Sequence, residues 1–246
     1  KGFWGHWVMT LMPYWRKKMY RLFGPPGTGK TTSLLNKVEE LLADGVAPNQ
    51  IGYFAFTRKA AHEARDRAVL RFNMDSEKSF VFFRTLHSLA FQLLGLSGAE
   101  VLKESHLTEF SQIVGVNLTE STENVEDEGF VTFRSNHPIM RAIDLARTTL
   151  QGPRWAYNNM ELFETYYHFE HIYNEYEKYK KQAGLKDFTD MLVELAANKT
   201  LIPKLKVVFI DEAQDLTPLQ WEVAHLLNEK CERMFIAGDD DQGIFS

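Results

Sequence analysis

The chain has 246 residues, 44% of them hydrophobic and 25% charged, an ordinary globular balance with length for one or two domains. Its one cysteine, Cys231, excludes an intrachain disulfide and an all-cysteine zinc site, and no apolar run approaches the ~20 residues of a membrane-spanning helix. The net charge of −5 speaks at first against a nucleic-acid partner, but residues 1–90 carry +7, from 14 Lys and Arg against 7 Asp and Glu, while 91–203 carry −7 and 204–246 carry −5.

Residues 1–18 mix Phe3, Trp4, Trp7, Tyr14 and Trp15 with Lys1, Arg16, Lys17 and Lys18, and hold no acid. The positive charges follow the apolar stretch, which is the wrong order for a signal peptide. The segment reads as an upstream piece packed partly on the domain, with stacking on bases as the alternative. Tyr20–Phe23 then reads as a short strand and Gly24–Gly29 as a glycine–proline loop. Thr31–Leu42 reads as a helix, with Leu34, Leu35, Val38, Leu41 and Leu42 at helical spacing. Ile51–Phe56 is expected as a buried strand and Arg58–Arg71 as a helix with alanines on one side and arginines on the other. Phe80–Phe83 follows as a strand and Leu86–Leu94 as a helix. Such alternation predicts a parallel α/β sheet.

The alternation stops at residue 95. Helices are expected at about 105–115, 138–150, 159–183 and 187–197, and the acidic Thr119–Gly129 reads as a mobile loop. The aromatic stripe on 159–183, which includes Tyr166, Phe169, Tyr173 and Tyr176, reads as core. Strand Val207–Ile210, helix Thr217–Leu227 and strand Arg233–Ala237 resume the first pattern. The expected architecture is one α/β domain with a parallel sheet, made of 19–94 and 204–246 and interrupted by an all-helical insert, 95–203, with 1–18 standing apart.

The loop Gly24-Pro25-Pro26-Gly27-Thr28-Gly29-Lys30-Thr31 fits G-x-x-x-x-G-K-[ST] between a strand and a helix. Glycines let backbone N–H groups turn inward onto phosphate oxygens, and the helix N-terminus adds positive potential. Lys30 is expected to reach the β- and γ-phosphates and the Thr31 hydroxyl to ligate Mg²⁺. The run Val207-Val208-Phe209-Ile210-Asp211-Glu212 carries two acids to the C-terminal edge of a buried strand. Asp211 is the expected Mg²⁺ ligand, and Glu212 the expected base for the attacking water. Ala237-Gly238-Asp239-Asp240-Asp241-Gln242 also follows an apolar strand, and Gln242 is placed to sense a γ-phosphate.

Six segments in order resemble the motifs of UvrD/Rep-like superfamily 1 DNA helicases. They are GPPGTGKTT at 24–32, FAFTRKAAHEARDR at 54–67, RTLHSLAFQLL at 84–94, AGLKDFTDML at 183–192, IDEAQDLTPLQ at 210–220 and IAGDDDQGIFS at 236–246. The first is also common in AAA+ ATPases, but there the acidic strand follows much sooner. The resemblance implies a RecA-like P-loop domain that binds ATP through Gly24, Pro25, Gly27, Thr28, Gly29, Lys30, Thr31, Thr32 and Gln242. Catalysis would fall to Glu212, Lys30 and Gln242, with the metal on Thr31 and Asp211. Single-stranded DNA would run along Phe56, Thr57, Arg58, Thr85, His87 and Phe245. Aromatic stacking and phosphate contacts suit such sequence-independent binding. The implied activity is ATP-driven translocation and unwinding at duplex junctions, 3′ to 5′, by a cytoplasmic protein. Alternatives are a nucleotide-switch module without unwinding and an RNA-dependent ATPase. No glutamine segment of the kind that reads adenine in the family stands before Gly24. The resemblance also implies that a second RecA-like domain, with arginines completing the site, lies beyond Ser246.

Overall fold

The computed structural model describes residues 8–9, 18–25, 27–72, 79–119, 122–127 and 130–239. The chain divides into two compact units. One is Lys1–Leu89 with Lys199–Leu216 and Trp221–Ser246, and the other is Ala90–Asn198 with Thr217–Gln220.

The first unit is built on a sheet. Its strands are β1 (Val8–Met9), β2 (Lys18–Phe23), β3 (Ile51–Phe54), β4 (Phe83–Arg84), β7 (Val207–Ile210) and β8 (Arg233–Gly238), in spatial order β1-β2-β8-β7-β3-β4. Five of them are parallel, and β1 runs antiparallel to β2. Alternate strand residues Leu22, Tyr53, Phe209 and Phe235 meet α1 (Lys30–Ala43) and α2 (Arg58–Phe72) in one core, where Leu34, Leu35, Val38 and Leu41 come from α1. The alanines of α2, Ala61, Ala64 and Ala68, are buried in that core and let the helix lie close to the strands. Phe54, Val208, Ile210, Met234 and Ile236, of opposite parity, are buried as well. Both faces of the sheet are therefore covered, as a parallel sheet requires. The strand expected at Phe80–Phe83 forms only over Phe83–Arg84, because Phe80 closes a turn by accepting the Phe83 N–H. Helix α3 (Leu86–Leu93) follows.

The second unit holds α4 (Glu104–Val114), α5 (Pro138–Thr148), α6 (Pro153–Asn159), α7 (Tyr166–Ala183) and α8 (Phe188–Ala197). Two expectations change here. The helix expected over 159–183 begins only at Tyr166: Met160 is extended, and the Thr165 hydroxyl caps α7 by accepting the His168 N–H. Its aromatic stripe is core in part. Phe169 and Tyr176 are buried, whereas Tyr167 is exposed.

The insert is also not wholly helical. The segment expected to be a mobile loop contributes β5 (Thr122–Asp127), which pairs antiparallel with β6 (Phe130–Ser135). β6 buries Phe130 and Thr132 on one face with Val131 exposed between them, and the alternation breaks at its end, where Arg134 is exposed and Ser135 is buried. The Thr132 and Ser135 hydroxyls donate to the carbonyls of Leu102 and Leu118, and Phe130 packs on Phe91 and Phe188. These anchors, distant in sequence, hold a hairpin whose other strand, β5, is buried only at Asp127. A last helix, α9 (Pro218–Lys230), joins β7 to β8.

Candidate functional site

The parallel register brings four strand ends to one edge of the sheet. β2 runs into the glycine loop, β7 into Asp211 and Glu212, β8 into Asp239, and β3 into Ala55–Thr57. Ligands of open α/β sheets bind at this carboxyl edge.

In the loop, Gly27 and Gly29 have φ of 79° and 81°, a left-handed conformation that a Cβ would strain. Glycine spacing is thus a backbone requirement of the turn into α1. The first N–H groups of α1 have no partner inside the helix, and they lie at the positive end of its dipole. The Thr28 hydroxyl donates to Pro25 O at 2.8 Å. Lys30 is buried, and its Nζ donates to the carbonyls of Gly24 (2.5 Å) and Pro25 (3.2 Å). It is held over the loop by backbone oxygens.

Asp211 is 1% exposed. Its Oδ1 accepts the Glu212 N–H at 3.0 Å and its Oδ2 accepts the Tyr53 hydroxyl at 2.6 Å, and Thr31 bonds to the same carboxylate. Burial pushes the Asp211 carboxyl above its ordinary range, and the bonds from Tyr53 and Thr31 pull it back. Asp215 is raised too, by burial and then by the Glu212 charge. Glu212 itself has φ 52° and ψ 45°, a left-handed conformation costing ~1–2 kcal/mol for a residue with a side chain. Strain of this kind gathers at functional sites. Glu212 Oε2 accepts from Gln214 Nε2 at 2.8 Å, and Gln214 Oε1 accepts the Asp239 N–H at 3.0 Å. Gln214 therefore ties the acid after β7 to the end of β8.

A cleft of about 650 Å³ opens here, lined by Gly27, Lys30, Thr31, Phe56, Glu212 and Gln214 among others. That is the size of a small-molecule site. The Thr31 hydroxyl and Asp211 carboxylate form an all-oxygen donor set that suits a hard divalent cation such as Mg²⁺.

The other expected residues fall as follows. Gly24 is half-buried, and Pro25 and Thr32 are exposed. Phe56, 43% exposed, and Thr57 line the same cleft, and the Thr57 hydroxyl accepts the Ala60 N–H at the start of α2. Arg58 is exposed in the first turn of α2. Thr85 and His87 are buried, and Thr85 accepts the Ser88 N–H at 3.0 Å as the cap of α3. Gln242 and Phe245 lie outside the described residues.

Three residues escaped the sequence reading: Tyr53, Gln214 and Asp239 as a backbone donor. Gln214 stood inside the 210–220 motif, so its position carried a signal. Tyr53 sat in an unbroken buried run and carried none.

The 183–192 motif supplies a different cluster. Asp187 caps α8 with Asp190 in a reciprocal box. Asp187 Oδ2 bonds Arg147 at 2.6 Å and Lys180 at 2.7 Å, and Asp190 bonds both cations as well. Glu177 pairs with Lys180 at 2.9 Å. Two cations thus fill the space among three acids.

Comparison with known proteins agrees with the motif order. The chain is 28% identical over 230 residues to the ATP-dependent DNA helicase Rep of Buchnera aphidicola subsp. Baizongia pistaciae, covering 89% of this chain and 33% of the relative. It is 25% identical over 230 residues to Rep of Escherichia coli, with the same coverage. It is 23% identical over 234 residues to the ATP-dependent DNA helicase PcrA of Staphylococcus aureus, covering 89% and 31%. The chain spans about a third of the length of these relatives. The family model described as the UvrD/REP helicase N-terminal domain matches residues 17–246, and the chain belongs to that family.

Proposed function

We propose that this chain is the ATP-binding N-terminal part of an ATP-driven single-stranded-DNA translocase or helicase. The observation that carries the reading is the meeting of the Gly27–Thr31 loop with Asp211, Glu212 and Gln214 at one sheet edge. Residues 19–94 and 204–246 would form the RecA-like domain and 95–203 the insert.

In this reading the loop N–H groups and Lys30 hold the triphosphate. Thr31 and Asp211 hold Mg²⁺, which neutralises charge on the phosphates when bound. Glu212 orients the attacking water and takes its proton. Gln214 fixes one oxygen of that carboxylate, leaving the other for the water. Phe56, Thr57 and Arg58 would meet a DNA strand, and movement would run 3′ to 5′ as the resemblance implies. Arginines from a further RecA-like domain would complete the site. The isolated chain is therefore expected to hydrolyse ATP poorly, since such arginines contribute ~10³–10⁵ in rate in comparable enzymes.

The test uses the full-length protein. Glu212→Gln should bind ATP yet lose hydrolysis, because it removes a base and leaves the phosphate cradle intact. Full activity in that variant would falsify the site. ATPase stimulation by RNA in place of single-stranded DNA, or DNA-stimulated hydrolysis without strand displacement, would redirect the reading to an RNA-dependent ATPase or a nucleotide switch.

A further inference from the structure

We propose that Tyr53 is a positioning residue for the metal site: its hydroxyl fixes the Asp211 carboxylate in the orientation that receives the divalent cation. The inference rests on the functional reading above.

Tyr53 lies within β3 and is wholly buried. It is in register with Phe83 on β4 and Phe209 on β7. Its ring stacks on both, at 5.5 Å and 20° and at 6.1 Å and 26°. A ring held between two neighbours cannot swing, so the position of its hydroxyl oxygen is fixed by the sheet. That hydroxyl donates to Asp211 Oδ2 at 2.6 Å, the length of a charge-assisted hydrogen bond. The backbone is pinned in parallel, because the Asp211 N–H donates to Phe54 O at 2.9 Å. Asp211 is thereby located by main chain and side chain from the same strand.

A core of this kind needs only the volume of the ring. A hydroxyl buried among phenylalanines is costly unless it is bonded, and Asp211 is the partner the structure provides. A carboxylate has about four lone-pair positions, so the bonds from Tyr53, Thr31 and the Glu212 N–H still leave one for a cation. Partners of metal-binding carboxylates typically change metal affinity by ~10–100-fold when removed.

The experiment compares wild type, Tyr53→Phe and Asp211→Asn in the full-length protein. Binding of Mn²⁺ in the presence of a non-hydrolysable ATP analogue is read by electron paramagnetic resonance. Binding of the analogue alone is read in EDTA. Tyr53→Phe keeps the ring and deletes one oxygen, and a cooperative thermal melt verifies the fold. The expected result is Mn²⁺ binding weaker by ~10-fold or more in Tyr53→Phe, lost in Asp211→Asn, with analogue binding in EDTA unchanged in Tyr53→Phe. Wild-type Mn²⁺ affinity in Tyr53→Phe beside a loss in Asp211→Asn overturns the role of Tyr53 alone. An equal loss of analogue binding in EDTA overturns it as well, since that marks a packing defect. Wild-type Mn²⁺ affinity in Asp211→Asn removes the functional reading itself, and the proposal with it.

Discussion

Lys30 and Lys180 are both buried, and their ammonium groups face different chemistry. Lys180, in the insert, sits within 2.7–2.9 Å of three carboxylates, those of Asp187, Asp190 and Glu177. Lys30, at the sheet edge, is held by two backbone carbonyls. The acids nearest the cleft, Asp211 and Glu212, are bonded by Tyr53, Thr31 and Gln214. The insert cluster neutralises itself with ion pairs. The cleft separates its cation from its anions and holds each with neutral groups. A buried charge paired inside the fold serves the fold, whereas one held by dipoles keeps its field for a ligand.

The contrast can be broken by exchanging the measurements. Lys30→Ala in the full-length protein should lower ATP turnover by ~10²–10³-fold, the effect of removing one charge-stabilising donor, and leave the urea midpoint nearly unchanged. Arg147→Ala should do the reverse. It leaves Asp187 and Asp190 with one cation, and breaking a buried pair costs ~3–5 kcal/mol, readable by urea denaturation of this chain. A large stability loss in Lys30→Ala, or none in Arg147→Ala, would end the distinction.

Acid sharpens it further. Burial alone would raise the Asp187 carboxyl, but Lys180 and Arg147 outweigh it and hold the group well below the usual carboxylate range. A depressed folded value contributes stability that is present above the unfolded aspartate pKa of ~3.9 and is lost as pH falls through the folded value. Asp190 is pushed up by burial and the Asp187 charge and works in the opposite sense, so the loss is partial. The urea midpoint of the insert should fall below pH ~4, and Arg147→Ala should flatten that slope.

The smallest effect concerns backbone strain. Leu150 and Glu212 are the non-glycine residues at positive φ among the described residues, one in each unit. Leu150→Gly should stabilise the chain by about 1 kcal/mol through relief of the left-handed strain. Glu212→Gly should gain similar relief and abolish hydrolysis. Loss of stability in Leu150→Gly is the outcome that counts against this account.

Much of the sheet was legible because its buried strands are continuous apolar runs and its glycine loop follows a fixed spacing. The hairpin was not. β5 is exposed at half of its positions and buried only at Asp127, so it lacks a hydrophobic face, and its partner β6 is held by hydroxyl bonds to Leu102 and Leu118, which lie 30 and 17 positions away from Thr132 and Ser135. The break before Tyr166 was hidden because the aromatic spacing continues through residues that are not helical. In the site, Lys30, Asp211 and Glu212 were legible from type and position. The strain at Glu212 and the reach of Tyr53 across two strands are properties of three-dimensional register, which one-dimensional spacing does not carry. Thr85 and His87 show the converse: chain position alone does not reveal that the first caps α3 and that both are buried.

The strand order also sets a schedule. β2 pairs with β8, and Lys18 lies opposite Arg233, some 215 positions later in the chain. At ~5–20 residues per second of synthesis, the strand that leads into the phosphate loop waits roughly 10–40 s for its parallel neighbour. The insert pairs and packs within Ala90–Asn198, so it can fold while the first strands still wait. The part of the chain made first is thus completed last. A nascent chain that ends before β8 leaves β2 and β7 each without that neighbour and exposes apolar strand edges to aggregation.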